Sequence, residues 1–432
     1  MKARWSCWSR TALAGCFTGR KRTNSDVAYL ADFEGNMRAV VVPRRSITLD
    51  LSRLVSRLLH ATPTGIDRLE LAYARHLLDR DDRPVSFEFW LPGIGFRRCS
   101  HAATRRLIES CEESWVSGVR TRTSSACALS RLLSVGTERR ITPGARLLVS
   151  HHHLEDMPAR IARRRPPGER LAVFVHDAIP SDFPEYARPG GARAHETRIR
   201  NGIAIADGVI VNSEATARSL MRFAADRPGF CPLVAPLGVE PPPASGSSEP
   251  GVTGPYFLCV GTIEPRKNHM LLLHIWRQFA AMPAGAAPRL IIVGRRGWEN
   301  ENVIDLLDRS PGLVGLVREE GRVGDARMAA LMRGARALLM PSFAEGFGLP
   351  VAEALAAGVP VIASDIPALR ETGGTVPDYL DPTDGPGWRR AILDYTPQGS
   401  PSRAQQIERM ADWRMPTWDQ HFARVFDFVD GL

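Results

Sequence analysis

The segment Gly261-Thr-Ile-Glu-Pro-Arg-Lys-Asn268 puts two cations, Arg266 and Lys267, between the apolar run Phe257–Val260 and an apolar stretch reaching Phe279. The run reads as a strand and the stretch as a helix, so both cations fall at a strand–helix junction. Gly261 permits a tight exit from the strand, and Asn268 is a natural N-cap for the helix. Fixed cations beside a helix N-terminus suit an anion, best a phosphate. Lysine usage sharpens the point: among 56 Lys and Arg the lysines are Lys2, Lys21 and Lys267. A solvated basic turn is the bland alternative. A strand-end lysine lining a cleft is expected to be replaceable without loss of the fold.

A second segment, Pro341-Ser-Phe-Ala-Glu-Gly-Phe-Gly-Leu-Pro-Val-Ala-Glu353, follows the apolar run Leu338–Met340. Gly346 and Gly348 interrupt any helix, while Pro350 suits a first helical turn. Glu345 then lies in the loop and Glu353 in the first turn of the helix beyond it. Exposed backbone N–H groups flanked by two carboxylates suit a polyhydroxylated ligand; for Glu353 alone, a favourable helix-dipole position explains as much. Earlier in the chain His176 and Asp177 end the apolar run Leu171–His176, and Gly65 lies in a loop ahead of a helix.

Rival signals are weaker. Asp79-Arg80-Asp81 has the spelling of a metal-binding D-x-D, but it follows a helical stretch rather than a strand, which favours a solvated helix end. His151-His-His153 has no carboxylate or Cys partner at ligand spacing beyond Glu155 nearby, so an acceptor-facing or structural role is preferred to a metal site. A formal net charge of +9 suits anionic small molecules or an anionic membrane face. The sequence has no nucleic-acid motif and no aromatic-basic stripe, so nucleic acid is not expected as a partner.

These residues need a frame to position them. The chain has 432 residues, 44% hydrophobic and 24% charged, which excludes wholesale disorder and leaves room for two to three cores. Short apolar runs alternate with helical stretches from Ser46 onward, the pattern of parallel strands in α/β sheets. The runs are Ile47–Leu51, Leu147–Ser150, Leu171–His176, Val209–Asn212 and Val234–Leu237, then Phe257–Val260, Leu290–Val293, Leu338–Met340 and Val359–Ala363. Glu240-Pro-Pro-Pro-Ala-Ser-Gly-Ser-Ser-Glu-Pro-Gly251 has linker composition. The division expected is an extension over 1–45, a first Rossmann-like domain over 46–239 and a linker over 240–254. A second Rossmann-like domain over 255–400 and a helical segment over 401–432 complete it. Seven scattered cysteines without a C-x-x-C pair fit a reducing cytosol, and no apolar run is long enough to span a bilayer.

Taken in order, the motifs resemble retaining glycosyltransferases of family 4, which have the GT-B fold of two Rossmann-like parallel-sheet domains facing a cleft. The resemblance rests on Gly261–Asn268, Val293-Gly-Arg-Arg-Gly-Trp298, Gly321-x-Val-x-Asp325, the E-x7-E pair Glu345 and Glu353, and Ala354–Asp365. It is looser in the first domain, through Pro63-Thr-Gly-Ile-Asp-Arg68, His176-Asp177 and Asn212-Ser213. The resemblance implies that Arg266 and Lys267 bind the donor diphosphate and stabilise it as it leaves. Glu345 would touch the sugar hydroxyls, with Gly261 and the stretch Gly346, Phe347, Gly348 and Leu349 completing the donor site. Glu353 would hold the ribose, Gly65 would approach the diphosphate from the other domain, and His176 would lie near the transferred sugar.

The function so implied is a metal-independent, cofactor-free hexosyltransferase using a nucleotide sugar and a glycan or lipid-linked glycan in polysaccharide biosynthesis. The wording around Glu264–His269 resembles mannosyltransferases and favours GDP-mannose. A non-catalytic nucleotide-sugar or glycan binder of the same fold is the alternative. The expected location is cytoplasmic, with peripheral contact to anionic lipid through Arg105, Arg106, Arg120, Arg122 and Arg163–Arg165 left level with simple solvation of these side chains.

Overall fold

The computed structural model describes residues 27–31, 37–41, 44–58, 60, 62–93, 95–117, 144–150, 154–240, 251–283 and 285–432. His151–His153, Arg120, Arg122 and most of the proline-rich linker lie outside them. Near the N-terminus β1 (Val27–Ala31) and β2 (Met37–Val41) pair antiparallel, Val27 opposite Val41. No such pairing was expected there.

Two further sheets follow. The first contains β3 (Ile47–Asp50), β4 (Val85–Leu91), β5 (Gly95–Cys99), β6 (Ala145–Leu148), β7 (Arg170–Val175), β8 (Gly208–Val211) and β9 (Leu233–Val234). Its order is β5-β4-β3-β6-β7-β8-β9, parallel except for the β4–β5 hairpin. The second contains β10 (Tyr256–Val260), β11 (Arg289–Val293), β12 (Val317–Gly321), β13 (Leu338–Met340), β14 (Val361–Ser364) and β15 (Asp378–Leu380). Its order is β12-β11-β10-β13-β14-β15, and every pair is parallel. In that sheet the chain runs outward from β10 to β12, then jumps back to β13 and runs the other way. Crevices that take ligands form at such switch points, outside the carboxyl ends of the strands. Here the switch point is β10 beside β13, and in the first sheet it is β3 beside β6.

Interior strands are buried on both faces, as β-branched and aliphatic runs require: Leu258, Leu290, Leu338, Val361 and Ile362 are fully buried. Local signals set the helix starts. Thr64 accepts from the Asp67 N–H and Asp67 accepts from the Thr64 N–H, a capping box that opens helix Gly65–Leu78. Thr417 and Gln420 make the same arrangement for helix Trp418–Gly431. That last helix packs on the first sheet's domain: Phe422, Val425, Phe426 and Val429 belong to the core containing Leu49, Tyr73 and Phe87. Burying each such side chain contributes about 1.5–3 kcal/mol before entropy. The fit is close, because His421 meets Tyr73 Oη at 2.7 Å and the Pro236 carbonyl at 3.0 Å.

Candidate functional site

The carboxyl end of β10 supplies the cations. Gly261 leaves the strand at φ 145°, and a Cβ there would lie 3.2 Å from Lys267 Cε. A 3-10 turn over Pro265–Lys267 then aims both cations across the sheet edge. Asn268 does occupy the N-cap position of helix His269–Phe279, but in a left-handed conformation at φ 54°. Its side-chain amide donates to the carbonyls of Pro341 and Pro382, at 3.1 and 2.8 Å, instead of capping. It therefore ties the β10 loop to the β13 loop.

From the end of β13 comes Glu345. Lys267 Nζ donates to its Oε1 at 2.6 Å and Arg266 Nη1 to its Oε2 at 2.9 Å. Arg266 also reaches Glu264 through Nε at 2.6 Å and the Ala344 carbonyl at 2.9 Å. Burial alone would raise the Glu345 carboxyl, but Lys267 and Arg266 hold it down to about 2. Glu345 and Glu264 in turn hold Arg266 above its ordinary value against the effect of burial. The result is a balanced, nearly dry quartet of two cations and two anions at the switch point. Both oxygens of Glu345 face cations here rather than open cleft.

Next to the quartet the chain runs over Gly346, Phe347 and Gly348 into helix Leu349–Ala356. Gly348 stands at φ 91°, and a Cβ on it would lie 2.5 Å from Leu369 Cδ2. Among the described residues, the N–H groups of Gly346, Phe347 and Gly348 donate to no carbonyl or side chain. Three open amides beside two cations form an anion cradle. Glu353 lies one turn deeper than expected, at the fifth helical position, so the first turn carries no acidic residue and the dipole account does not apply. Burial raises its carboxyl, opposed by Arg68 and reinforced by Asp325.

The first domain closes over this edge. The Arg68 guanidinium forks onto both oxygens of Asp325. Gly65 lies against Leu349: a Cβ on Gly65 would be 3.3 Å from Leu349 Cδ1. Ser213 Oγ donates to the Gly346 carbonyl at 2.6 Å, and a Cβ on Gly346 would lie 2.6 Å from the His176 carbonyl. Glu371 accepts from the Glu214 and Ala215 N–H groups, at 2.6 and 2.8 Å, capping a helix of the opposite domain. Trp298 Nε1 donates to the Tyr186 carbonyl at 3.1 Å, and Tyr186 stacks on Phe343.

His176 does reach the cleft, but by its backbone. Its Nε2 lies 2.7 Å from the Val149 carbonyl, so that nitrogen carries the proton, and burial pushes the ring down to about 4. The imidazole is thus neutral at pH 7, with Nε2 held by its own domain. Asp79 ends helix Gly65–Leu78 and pairs with exposed Arg105 at 3.4 Å, away from the sheet edge. Among the described residues no group of three His, Cys, Asp or Glu is placed to hold a metal.

Sequence reasoning brought Arg266, Lys267, Glu345, Gly261 and Gly346–Leu349 to one place, and the structure has them there. It gave no role to Glu264, Arg68, Asp325, Ser213 or Glu371. The first four stand inside quoted motifs; the pairing of Glu371 across the cleft has no local signature.

Comparison with known proteins agrees with this geometry. Residues 254–394 match the family described as Glycosyl transferases group 1. The O-antigen chain mannosyltransferase B of Escherichia coli is 40% identical over 129 residues, covering 30% of this chain and 33% of that protein. A phosphatidyl-myo-inositol mannosyltransferase of Mycolicibacterium smegmatis is 32% identical over 180 residues, 39% of this chain and 43% of that one. The chain spans about a third of the length of the first curated relatives it matches. In fold it is similar to Anabaena HepE in complex with UDP and glucose, at TM-score 0.57 and 15% identity, covering 90% of this chain and all of that one. Sucrose-phosphate synthase of Thermosynechococcus elongatus gives TM-score 0.56 at 16% identity, over 89% and 98%. The chain therefore has the GT-B fold, and its residues 254–394 match the glycosyl transferases group 1 family.

Proposed function

We propose that this chain transfers a hexose, mannose by preference, from a nucleoside-diphosphate sugar to a glycan or lipid-linked glycan acceptor in polysaccharide assembly. The observation that carries the reading is the Glu264–Arg266–Lys267–Glu345 quartet beside three open amides at the switch point. A diphosphate seated there meets fixed N–H donors and two cations already oriented by carboxylates. As the bond from the sugar to the diphosphate breaks, charge gathers on the leaving phosphate, and donors fixed in advance lower that barrier. Glu353, half-buried one turn into the helix, accepts from the ribose hydroxyls. Retention and independence of metal are part of the proposal. The relatives named for mannosyl transfer support mannose, and their names support O-antigen-type acceptors.

Lipid contact is the weaker part, because Arg164 stacks on Phe96 and Arg165 bonds Asp207 and two carbonyls. Among the described residues no helix is long and apolar enough to cross a membrane. The test is a panel of nucleotide sugars assayed by released nucleoside diphosphate with a glycan acceptor extract. GDP release from GDP-mannose supports the reading. Binding of the donor with no turnover for any acceptor makes the chain a binder instead.

A further inference from the structure

A second set of cations stands beside the quartet, and it lacks the carboxylates that balance the first. Arg295 follows β11 and Arg322 follows β12, on neighbouring strand ends joined by the Gly294 N–H donating to the Gly321 carbonyl at 2.8 Å. Among the described residues neither guanidinium has a hydrogen-bond or ion-pair partner. Facing them from the first domain is the turn that follows helix Ser52–Ser56, where Arg53 and Arg57 share Asp67 at 2.6 and 3.1 Å. Asp67 is fully buried and takes both Arg53 and Arg57. The same turn carries His60, held by its N–H to the Arg57 carbonyl at 2.9 Å, with a buried Nδ1 that has no partner. The groups sense one another: burial, Arg57, Arg322 and Arg295 all push His60 down, and burial, Arg295 and Arg57 push Arg322 down.

Arg295 and Arg322 are exposed and, among the described residues, have no carboxylate of their own, so their guanidinium forks are open to an anion. The quartet has no such opening, since Glu264 and Glu345 already neutralise Arg266 and Lys267. Arg322 stands two strands from β10, about 10 Å at ordinary strand spacing, while Arg295 stands on the adjoining strand and its carbonyl accepts from the Ile263 N–H at 2.9 Å. The open guanidinium forks match phosphate oxygens, and a phosphate ester brings about two charges. Both domains contribute, so the anion bridges them rather than belonging to the donor face alone.

We infer that Arg295 and Arg322, facing Arg57 and His60, form a second anion site that binds a phosphate ester carried by the acceptor. The inference rests on the glycosyltransferase reading above and adds an acceptor class to it, namely a phosphorylated glycan or glycolipid headgroup. A free phosphorylated effector has the same chemistry, and the experiment separates the two sources.

Binding of inorganic phosphate to the full chain is measured by calorimetry with the donor site saturated by GDP, then with Arg295→Ala, Arg322→Ala and Arg322→Lys. Phosphate is expected to bind the GDP-loaded protein. Each alanine variant should weaken that binding by about tenfold, the lysine variant should restore part of it, and GDP affinity should stay within about twofold. Phosphate that binds only when GDP is absent overturns the inference, because the anion then uses the diphosphate cradle. An equal loss of GDP affinity overturns it as well, because the arginines then face the nucleotide. Absence of any nucleotide binding instead refutes the glycosyltransferase reading, and is seen separately. With paired phosphorylated and dephosphorylated acceptors, Arg322→Ala should raise KM about tenfold for the first only. A KM change shared by both, or no change in either, assigns the site to a free effector and overturns the acceptor source.

Discussion

Lys267 Nζ lies 2.6 Å from Glu345 Oε1, and both side chains are less than a tenth exposed. The pair joins the ends of two neighbouring strands whose residues stand 78 positions apart in sequence. This burial alters the expectation for Lys267. A lysine that only lined a cleft would be replaceable at no cost to the fold, whereas removing this one leaves a buried carboxylate with Arg266 alone.

Lys267→Ala is therefore expected to lose about 3 kcal/mol of stability, as for breaking a buried ion pair from one side. Turnover should fall about a hundredfold or more, as for loss of a fixed charge-stabilising donor. Lys267→Ala with Glu345→Ala should regain part of the stability and none of the activity. Urea unfolding and nucleoside diphosphate release read the two effects. A folded single variant with unchanged stability and near-normal turnover would remove the quartet from the mechanism.

Gly346 presses against the other domain, so Gly346→Ala should hold the cleft open without harming either core. A Cβ at 2.6 Å from the His176 carbonyl has to be relieved by domain displacement. Turnover should fall about a hundredfold, as for a misplacement near 1 Å. The radius of gyration from X-ray scattering should rise while the melting temperature stays nearly constant. An unchanged radius with full activity would show that the contact is dispensable.

Acid should destabilise the fold in a defined window. Burial pushes His76, His176 and His421 down to about 4 and His269 to about 3, from an ordinary 6.5. A folded-state value below the unfolded one favours the neutral ring in the fold. The stabilisation is therefore complete above pH 6.5 and is lost as pH falls toward 4. Each ring contributes a slope of about 1.4 kcal/mol per pH unit inside that window. Glu345, held at about 2, adds a loss below the ordinary carboxylate range. Urea midpoints from pH 7.5 to 4.5, for the wild type and His421→Gln, test this. The variant should show the shallower slope; identical slopes would mean His421 titrates normally.

Chelation is expected to leave turnover unchanged, since the carboxylates near the cradle are matched by Arg266, Lys267 and Arg68. Loss of activity in EDTA, restored by manganese, would bring Asp79 and Asp81 back as ligands.

How much of this was legible depended on where a strand sits in its sheet. The interior strands β3, β6, β7, β8, β10, β11, β13 and β14 stood out because burial on both faces demands unbroken apolar runs, and the edge strand β9 showed itself as well through Val234–Leu237. Of the unannounced ones β4 is paired on both sides and mostly buried, its run broken by Ser86 and Glu88, and the others lie at edges. β12 reads Val-Arg-Glu-Glu-Gly and β15 Asp-Tyr-Leu, and neither has a fully buried residue. β5 carries Arg97 and Arg98 outward. Edge strands expose one side, so their composition resembles that of loops. The site divided in the same way. Cations and glycines at strand ends are contiguous in sequence and showed themselves. Arg68 with Asp325, and Glu371 with Glu214, meet only after both domains fold, and no spacing rule announces such a pair.

The docking of helix Trp418–Gly431 carries a consequence for how the protein is made. Its apolar face completes the core of the domain synthesised first. While the ribosome is still translating the second domain, the first lacks Phe422, Val425, Phe426 and Val429, so its interior stays uncovered. Residues 254–394 hold their own core and can fold as they emerge. Maturation thus proceeds against the order of synthesis, with the second domain settling before the first is sealed. A nascent chain halted near Met410 would expose a first-domain surface open to proteases, and release of the last helix would close it.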